Sequence, residues 1–515
     1  MPLLKVKLNL LIVVSAMGLG AHFQFYSNSV VNNIVDDVKP WFNQSYTEHY
    51  GKSLSKDQLT LLWSMASACL QFGAVVGALV TRPMAERMGR RGGLITTGLT
   101  CAIGSVLTTI AKYVDAFEVF FVGRLLLGVS LGASLGLASM FVTETAPVRY
   151  RGACGSLLQI MLGLGNLLSL VLTLPQLFGT AELWPVSMAV PLVTSLLQVL
   201  ITFQGEESPR FLLIAKKDEE AARKSLHYYR RAISVEPQMV QIRGELNRIQ
   251  VTPRKLDETK EEVMEEEKEE NKKSAASVGD LFKYPNLRPM LLAIVVAFSI
   301  QFSGIAAVLA YSKTMFESAG LSTLTAKYGS VGLGVCNTLA PFLSTALVEK
   351  AGRKVILLGG LSLSTVSLAV MIGCSEAGNT YGLTDALSGT IVCMYGFQIG
   401  FALSSSILWI VVAELFPQSL RSLAVTITSF SFFVFQSVVV LCYLPFASKV
   451  GFSISFSPFI LSGVVCVAIL GTFLPETKGK SIQEISAYFS GQTDKRQLEK
   501  KQLPGAGSAD NNTRF

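Results

Sequence analysis

Polar side chains interrupt several runs of this sequence that are otherwise apolar. An amide in hydrocarbon is costly without a partner, so each should face a cavity or a neighbouring helix. Amides can bond to hydroxyl groups, and an indole can cover ring C–H groups, so the set would suit an uncharged polyhydroxyl ligand. For any single amide, a hydrogen bond between helices is at least as good an interpretation. The residues are Gln24, Asn28, Gln159, Asn166, Gln301, Asn337, Gln398, Gln436 and Trp409.

Charged residues form a second pattern, which occurs twice. Residues 86–91 read ERMGRR, and residues 349–354 read EKAGRK, each directly after an apolar run. Gly89 and Gly352 should supply tight turns there. The duplicated order of acidic residue, glycine and two basic residues predicts charge pairs that latch two halves of the molecule together. Basic loops that only fix membrane topology are the plainer alternative.

Two further carboxylates occupy matching places in this repeat. Glu144 precedes Arg151 by seven residues, and Glu414 precedes Arg421 by the same interval. Charges at a membrane edge are costly unless paired, so these four fit the same network. Arg124 begins the fourth apolar run, where it either reaches out to the membrane surface or joins this network.

The elements that position these residues follow from composition. The chain has 515 residues, of which 50% are hydrophobic and only 16% charged, whereas a soluble protein carries about 25% charged residues. The apolar runs are long enough to cross a bilayer, and they should do so as helices, because a backbone in lipid must satisfy its own hydrogen bonds. Hydropathy places twelve spans at roughly 6–28, 60–82, 92–112, 117–142, 152–176, 183–204, 287–312, 326–349, 354–375, 388–413, 421–446 and 454–474.

The repeat divides these spans into two related sets of six. We therefore predict an all-α membrane protein of twelve transmembrane helices in two pseudo-symmetric six-helix bundles, with a ligand between them near mid-membrane. The predicted domains are a first bundle, a cytoplasmic helical linker, a second bundle and a partly disordered cytoplasmic tail. Their bounds are 1–204, 205–286, 287–475 and 476–515.

Loop charge predicts the orientation. Basic residues concentrate in the loops after the second, fourth and eighth spans, so both termini should be cytoplasmic. The first loop on the other side contains the sequon Asn43-Gln44-Ser45, which predicts a glycan on Asn43.

Several function classes are disfavoured. The net charge of +8 is scattered over span ends, so nucleic acid is not an expected partner. The eight cysteines and three histidines show no metal spacing, and no nucleophile–base pair emerges. No enzyme, metal or cofactor is therefore expected. No carboxylate lies deep in a span, and His22 is the only histidine in one, which favours a uniporter over a proton symporter.

The chain resembles the sugar-porter branch of the major facilitator superfamily, in particular the facilitative glucose transporters. The resemblance covers nearly the whole chain. It is carried by the segments GRLLLG from Gly123, ETAPVRYRGACGSLLQ from Glu144, ESPRFLLI from Glu207, QFSGIAAV from Gln301, VEKAGRK from Val348, WIVVAELF from Trp409 and LPETKGKSI from Leu474.

The resemblance implies roles for individual residues. The implied sugar contacts are Gln159, Gln301, Asn337 and Trp409. The implied cytoplasmic gate network is Arg91, Glu144, Arg151, Glu207, Arg210, Arg353, Glu414 and Arg421, with Arg124 placed beside it. Asn28 matches a position where proton-coupled relatives often have Asp. The expected function is facilitated diffusion of a hexose by alternating access, in a multi-pass protein that is expected in the plasma membrane.

The sequence also departs from the family pattern. Ile300, Ala306, Phe401 and Phe432 stand where polar residues are expected, and residues 403–408 (LSSSIL) replace a run rich in Gly and Pro. Each hydrogen bond lost to a ligand hydroxyl costs about 0.5–1.5 kcal/mol, so glucose binding should be weaker or the substrate different. One alternative is a carrier of a polyol or organic anion. Another is a non-transporting nutrient receptor, which is less favoured because a long signalling tail would support it and the tail here is short.

Overall fold

The computed structural model describes most of the chain. It covers residues 8–147, 150–230, 278–381, 384–416, 418–451, 454–478 and 482–489, with positions 235–236, 239–240, 243 and 480. The acidic and basic stretch 256–273 and the tail from 490 onward, both expected to be solvated, lie outside these residues.

The first half of the described chain contains eight helices. Two consecutive short helices, joined by a π-helical turn (Gly18–His22) and a 3-10 turn (Phe23–Phe25), make up the first span. The helices are α1 (Leu8–Met17), α2 (Tyr26–Asn33), α3 (Val35–Tyr50), α4 (Lys56–Arg87), α5 (Gly89–Ile110), α6 (Phe117–Thr145), α7 (Arg151–Leu172) and α8 (Trp184–Gln204).

Short helices follow, and then the second half repeats the pattern. Its first span is again broken, here by a π-helical turn at Gln301–Ile305 between two helices. The helices between the halves are α9 (Pro209–Ile214), α10 (Glu219–Tyr229) and α11 (Val278–Leu281). Those of the second half and after it are α12 (Leu287–Ile300), α13 (Ala306–Ser318), α14 (Thr323–Ala351), α15 (Arg353–Tyr381), α16 (Thr384–Leu415), α17 (Gln418–Val450), α18 (Ser457–Phe473) and α19 (Ile482–Phe489).

The described residues therefore supply one helical span for each of the twelve predicted. Ten are long and apolar enough to cross a bilayer. The other two are α7, whose described apolar part is the shorter stretch Leu157–Leu172, and α14. These two helices pack against each other between the halves.

Helix α3 was not expected, because the sequence predicts a loop after the first span. Its buried residues Val35, Val38, Trp41 and Phe42 recur at helical spacing. The Trp41 ring lies 5.4 Å from that of Trp184, so the helix is held by aromatic packing against the first bundle.

Two tight connections mark one end of the bundle, which we call the basic end. Gly89 joins α4 to α5 and Gly352 joins α14 to α15, with φ values of 78° and 97° that favour glycine. The turns predicted at these two glycines are confirmed.

A large part of the buried core is shared between the halves at one end, and a smaller cluster joins Phe433 of the second half to the first half near mid-span. At the end opposite the basic end, one apolar cluster contains Tyr26 and Phe120 of the first half together with Tyr311 and Phe397 of the second. Toward the basic end the core divides. One cluster lies within the first half, around Phe141, and another lies within the second half and its flanking helices. The molecule is therefore closed at the opposite end and divided at the basic end.

Helices α4 and α6 approach each other through glycines. A Cβ on Gly128 would lie 1.9 Å from the carbonyl oxygen of Leu70, and one on Gly73 would lie 2.1 Å from that of Leu125. These glycines therefore allow the two helix backbones to pack closely.

Adding a single methyl group at this contact should loosen the first half. Gly128→Ala forces α4 and α6 apart, and we expect it to lower the free energy of unfolding by about 1–3 kcal/mol. Gly359→Ala is the matched control, because nothing lies within 4 Å of a Cβ there. Thermal unfolding of purified protein in detergent measures both, and equal midpoints for the two variants would contradict the packing argument.

Candidate functional site

The two halves meet near mid-span where α7 crosses α14. The Thr338 hydroxyl on α14 donates a hydrogen bond of 2.9 Å to the carbonyl of Gly163 on α7. Gln159 lies one turn before Gly163 on the same face of α7, and Asn337 is the residue next to Thr338. Gln159 and Asn337, two of the residues implied by the resemblance, therefore lie on two helices that meet between the halves. The Gln159 side chain is exposed rather than packed between helices.

Gln301 opens the π-helical turn between α12 and α13. Its side chain is buried, and its Oε1 atom has no hydrogen-bond partner among the described residues. Further along the turn, the hydroxyl of Ser462 donates to the carbonyl of Phe302 at 2.6 Å, which satisfies one backbone group of the broken helix. The Gln301 oxygen is thus a buried acceptor at mid-span, and a hydrogen bond from a ligand hydroxyl would offset the cost of its desolvation.

Asn337 and Trp409 are already in contact with neighbours. The amide of Gln398 on α16 donates to Asn337 Oδ1 at 2.9 Å, so Asn337 keeps its Nδ2 group for a ligand. The half-buried Trp409 ring lies 5.8 Å from the ring of Phe432 on α17. Phe432 therefore extends the aromatic surface at a position where the family pattern has an amide.

Six buried glutamine side-chain oxygens have no described partner: those of Gln24, Gln71, Gln198, Gln301, Gln398 and Gln436. Gln71 was not among the residues that the sequence indicated. It donates to Asn28 Oδ1 at 2.5 Å, which shows that Asn28 binds another helix. The sequence could have indicated Gln71, because it is a glutamine within the otherwise apolar run of α4.

A charge cluster at the basic end ties the helices of the first half together. The guanidinium of Arg90 pairs with Glu144 at 2.8 Å, and the Ser208 hydroxyl donates to the same carboxylate. The Glu207 carboxylate accepts the backbone N–H groups of Arg90 and Arg91, each at 3.0 Å. Together these bonds join the loop after α4 to the ends of α6 and α8.

The second half builds the same cluster from its own residues. Arg353 pairs with Glu414 at 3.1 Å, and the Thr477 hydroxyl donates to Glu414 at 2.6 Å. The Glu476 carboxylate accepts the backbone N–H groups of Arg353 and Lys354 at 2.9 and 3.0 Å. Glu207-Ser208 and Glu476-Thr477 are therefore equivalent parts of the repeat.

The hydrogen bonds that the Glu476 carboxylate accepts also affect its pKa. Burial by itself would raise its pKa, but N–H groups of Lys478, Arg353, Lys354 and Thr477 together lower the pKa below its usual value. The group is therefore ionised at neutral pH and accepts these bonds as a carboxylate.

The charge pairs described at this end stay within one half, so a latch between halves remains a prediction for a state closed at the basic end. Arg90, which was not among the expected members, binds Glu144, and the side chain of the expected member Arg91 bonds to the carbonyls of Thr202 and Phe203. Aligning the two repeats would have indicated Arg90, since it is the counterpart of Arg353.

The remaining expected members of the network are Arg124, Arg151, Arg210 and Arg421. Arg210 lies at the start of α9, the Arg151 side chain lies outside the described residues, and the Nε of Arg421 is buried without a described partner. Placing Arg124 in the network is wrong. It is buried about 30 Å along α6 from Glu144, and it bonds to the carbonyls of Ser27, Ala66 and Ser67.

Comparisons with known proteins agree with this architecture. A family model described as sugar (and other) transporter matches residues 12–489. The chain belongs to the sugar transporter family. It is accordingly a multi-pass membrane carrier and not an enzyme, with the all-α major facilitator fold that the sequence predicts.

Relatives are similar over most of their length. Facilitated glucose transporter protein 1 of Caenorhabditis elegans is 32% identical over 481 residues, which cover 91% of this chain and 88% of the relative. The human solute carrier family 2, facilitated glucose transporter member 5, is 29% identical over 474 residues, 92% of this chain and 90% of the relative.

Solved structures show the same fold. The xylose transporter XylE from E. coli, in an inward open conformation, matches with a TM-score of 0.71 and 20% identity over 93% of this chain and 99% of that one. A D-xylose-proton symporter matches with a TM-score of 0.68, also at 20% identity, over 92% of this chain and 99% of that one.

The cluster at the basic end should stabilise the first half. Glu144 is 7% exposed, so Glu144→Gln leaves the Arg90 guanidinium without its ion pair, and we expect a loss of about 1–3 kcal/mol in the free energy of unfolding. Glu86→Gln removes an exposed pair with Arg82 and should cost about 0–1 kcal/mol. Thermal unfolding in detergent compares the two, and a Glu86→Gln variant as unstable as Glu144→Gln would refute the assignment.

Proposed function

We propose that this protein carries a hexose down its concentration gradient by alternating access. The observation that supports this most strongly is the unpaired acceptor of Gln301 in the broken helix, in a chain that also retains Gln159, Asn337 and Trp409. These amides can bond to the hydroxyl groups of a sugar, and the indole can cover its C–H face. The relatives described above are named as facilitated glucose transporters, which agrees with this proposal.

Facilitated transport is favoured over proton coupling. The described spans hold no aspartate or glutamate near their middle, where a coupling group would have to titrate. A carrier without such a group moves its solute only down the gradient of that solute.

A second candidate is a carrier of another small solute, such as a polyol or organic anion. It is favoured by the contact between Trp409 and Phe432 and by the bond that occupies Asn337 Oδ1. Both reduce the polar surface open to a sugar and leave a more apolar site.

Uptake into proteoliposomes tests these proposals. We expect saturable entry of a labelled hexose that stops at equal inner and outer concentrations, with and without an imposed proton gradient. Accumulation driven by that gradient would reject the uniporter. Flux of a polyol or organic anion that hexoses do not inhibit would favour the second candidate.

A single substitution tests whether the transported hexose contacts Gln159. Gln159 is exposed, so Gln159→Ala should fold normally while KM for the transported hexose rises about 2- to 10-fold, as expected for one lost hydrogen bond. Gln44→Ala removes an exposed amide on α3 and is the control, with unchanged KM. An unchanged KM in both variants would place the sugar elsewhere.

We further propose a plasma-membrane location with both termini in the cytoplasm, which places the basic end inside and α3 outside. Asn43 lies on α3, where its Oδ1 accepts the N–H of Leu54 at 2.9 Å. If α3 is outside, glycosidase treatment of protein from a eukaryotic membrane should increase its gel mobility, and Asn43→Gln should abolish that change. A glycan that persists in Asn43→Gln would contradict the assignment to this residue.

A further inference from the structure

A lysine is buried where the two halves close on each other. Lys313 lies near the end of α13 and is 1% exposed, yet it carries an ammonium group. Two carboxylates bind it: Glu317 one turn further along α13, at 2.9 Å, and Asp36 on α3 of the first half. A buried charge requires such partners. One partner therefore belongs to each half of the molecule.

Neighbouring hydrogen bonds also join the two halves. The side chain of Asn32 on α2 accepts the backbone N–H of Lys313 at 3.1 Å and donates to the Ser312 hydroxyl at 2.6 Å. The amide of Gln176, after α7, donates to the hydroxyl of Tyr328 on α14 at 2.9 Å. Polar contacts thus cross between the halves at the end where their apolar cores are also merged.

A second pair of charges reinforces the arrangement. Lys327 on α14 is 4% exposed, and its charge attracts that of Asp37 on α3. The first half therefore presents two adjacent aspartates to two buried lysines of the second half, which is a complementary arrangement of charge.

We propose that Lys313 is the gate residue of this carrier, and that its ion pair with Asp36 holds the opposite end closed and breaks whenever that end opens. Glu317 stays on the same helix as Lys313, so the ammonium remains paired after Asp36 leaves. This avoids the large cost of an unpaired buried charge and makes the opening reversible. The inference concerns the two halves and is independent of the solute carried.

Hydrogen exchange of the full chain in lipid nanodiscs tests the gate without any substrate. Asp36→Asn removes the bond between halves but leaves Lys313 paired with Glu317, and Asp36 is 54% exposed, so the variant should fold. We expect exchange in peptides from α2 and α13 to rise on the order of fivefold, because the open state becomes more populated. Asp36→Glu keeps the charge and should exchange like the wild type.

Two controls separate the gate from a general loss of stability. Glu317→Gln removes the partner within the second half, and Glu118→Gln removes a pair with His49 within the first half at the same end. Glu118→Gln should leave exchange in α2 unchanged, and Glu317→Gln should not raise it, because opening would then leave Lys313 without a partner. Wild-type exchange in Asp36→Asn, or an equal rise in α2 for Glu317→Gln, would overturn the proposal.

Discussion

In hydrocarbon, a polar group without a partner is expensive, and this constraint shapes every level of the structure. It accounts for the helical backbone and for the paired charges at the basic end. It also explains why Arg124 binds three backbone carbonyls and why Lys313 has two carboxylates. Against this background, the buried side-chain oxygens of Gln24, Gln71, Gln198, Gln301, Gln398 and Gln436 are exceptions, because they have no partner among the described residues.

Duplication gives the two halves of the molecule the same kind of charge cluster. Within each unit, a carboxylate at the end of one helix binds an arginine after a glycine turn, and a second carboxylate binds the backbone of that turn. Because these clusters hold the helices of each half together, alternating access, if it operates as proposed, would move one half against the other. The merged core and the charge pairs at the opposite end, with the divided core at the basic end, describe one position of that movement.

Much of this was accessible from sequence. Apolar runs of bilayer length predict the spans, and the repeated glycine and acidic motifs predict two related halves and the turns at Gly89 and Gly352. Other features were not accessible. Helix α3 was taken for a loop because its polar residues mask the spacing of Val35, Val38 and Trp41, and Arg91 was chosen where Arg90 binds Glu144.

The sequence by itself determined the fold class, the family and the set of polar residues at membrane depth, because hydrophobicity and local spacing act along the chain. Only the tertiary structure decided which partner each polar residue has. Asn28 binds Gln71 and Asn337 binds Gln398, whereas Gln301 keeps a free acceptor and Lys313 binds Asp36 across 277 positions of sequence. Such pairings depend on how helices cross and rotate against each other, and that geometry is set by packing among all of them at once.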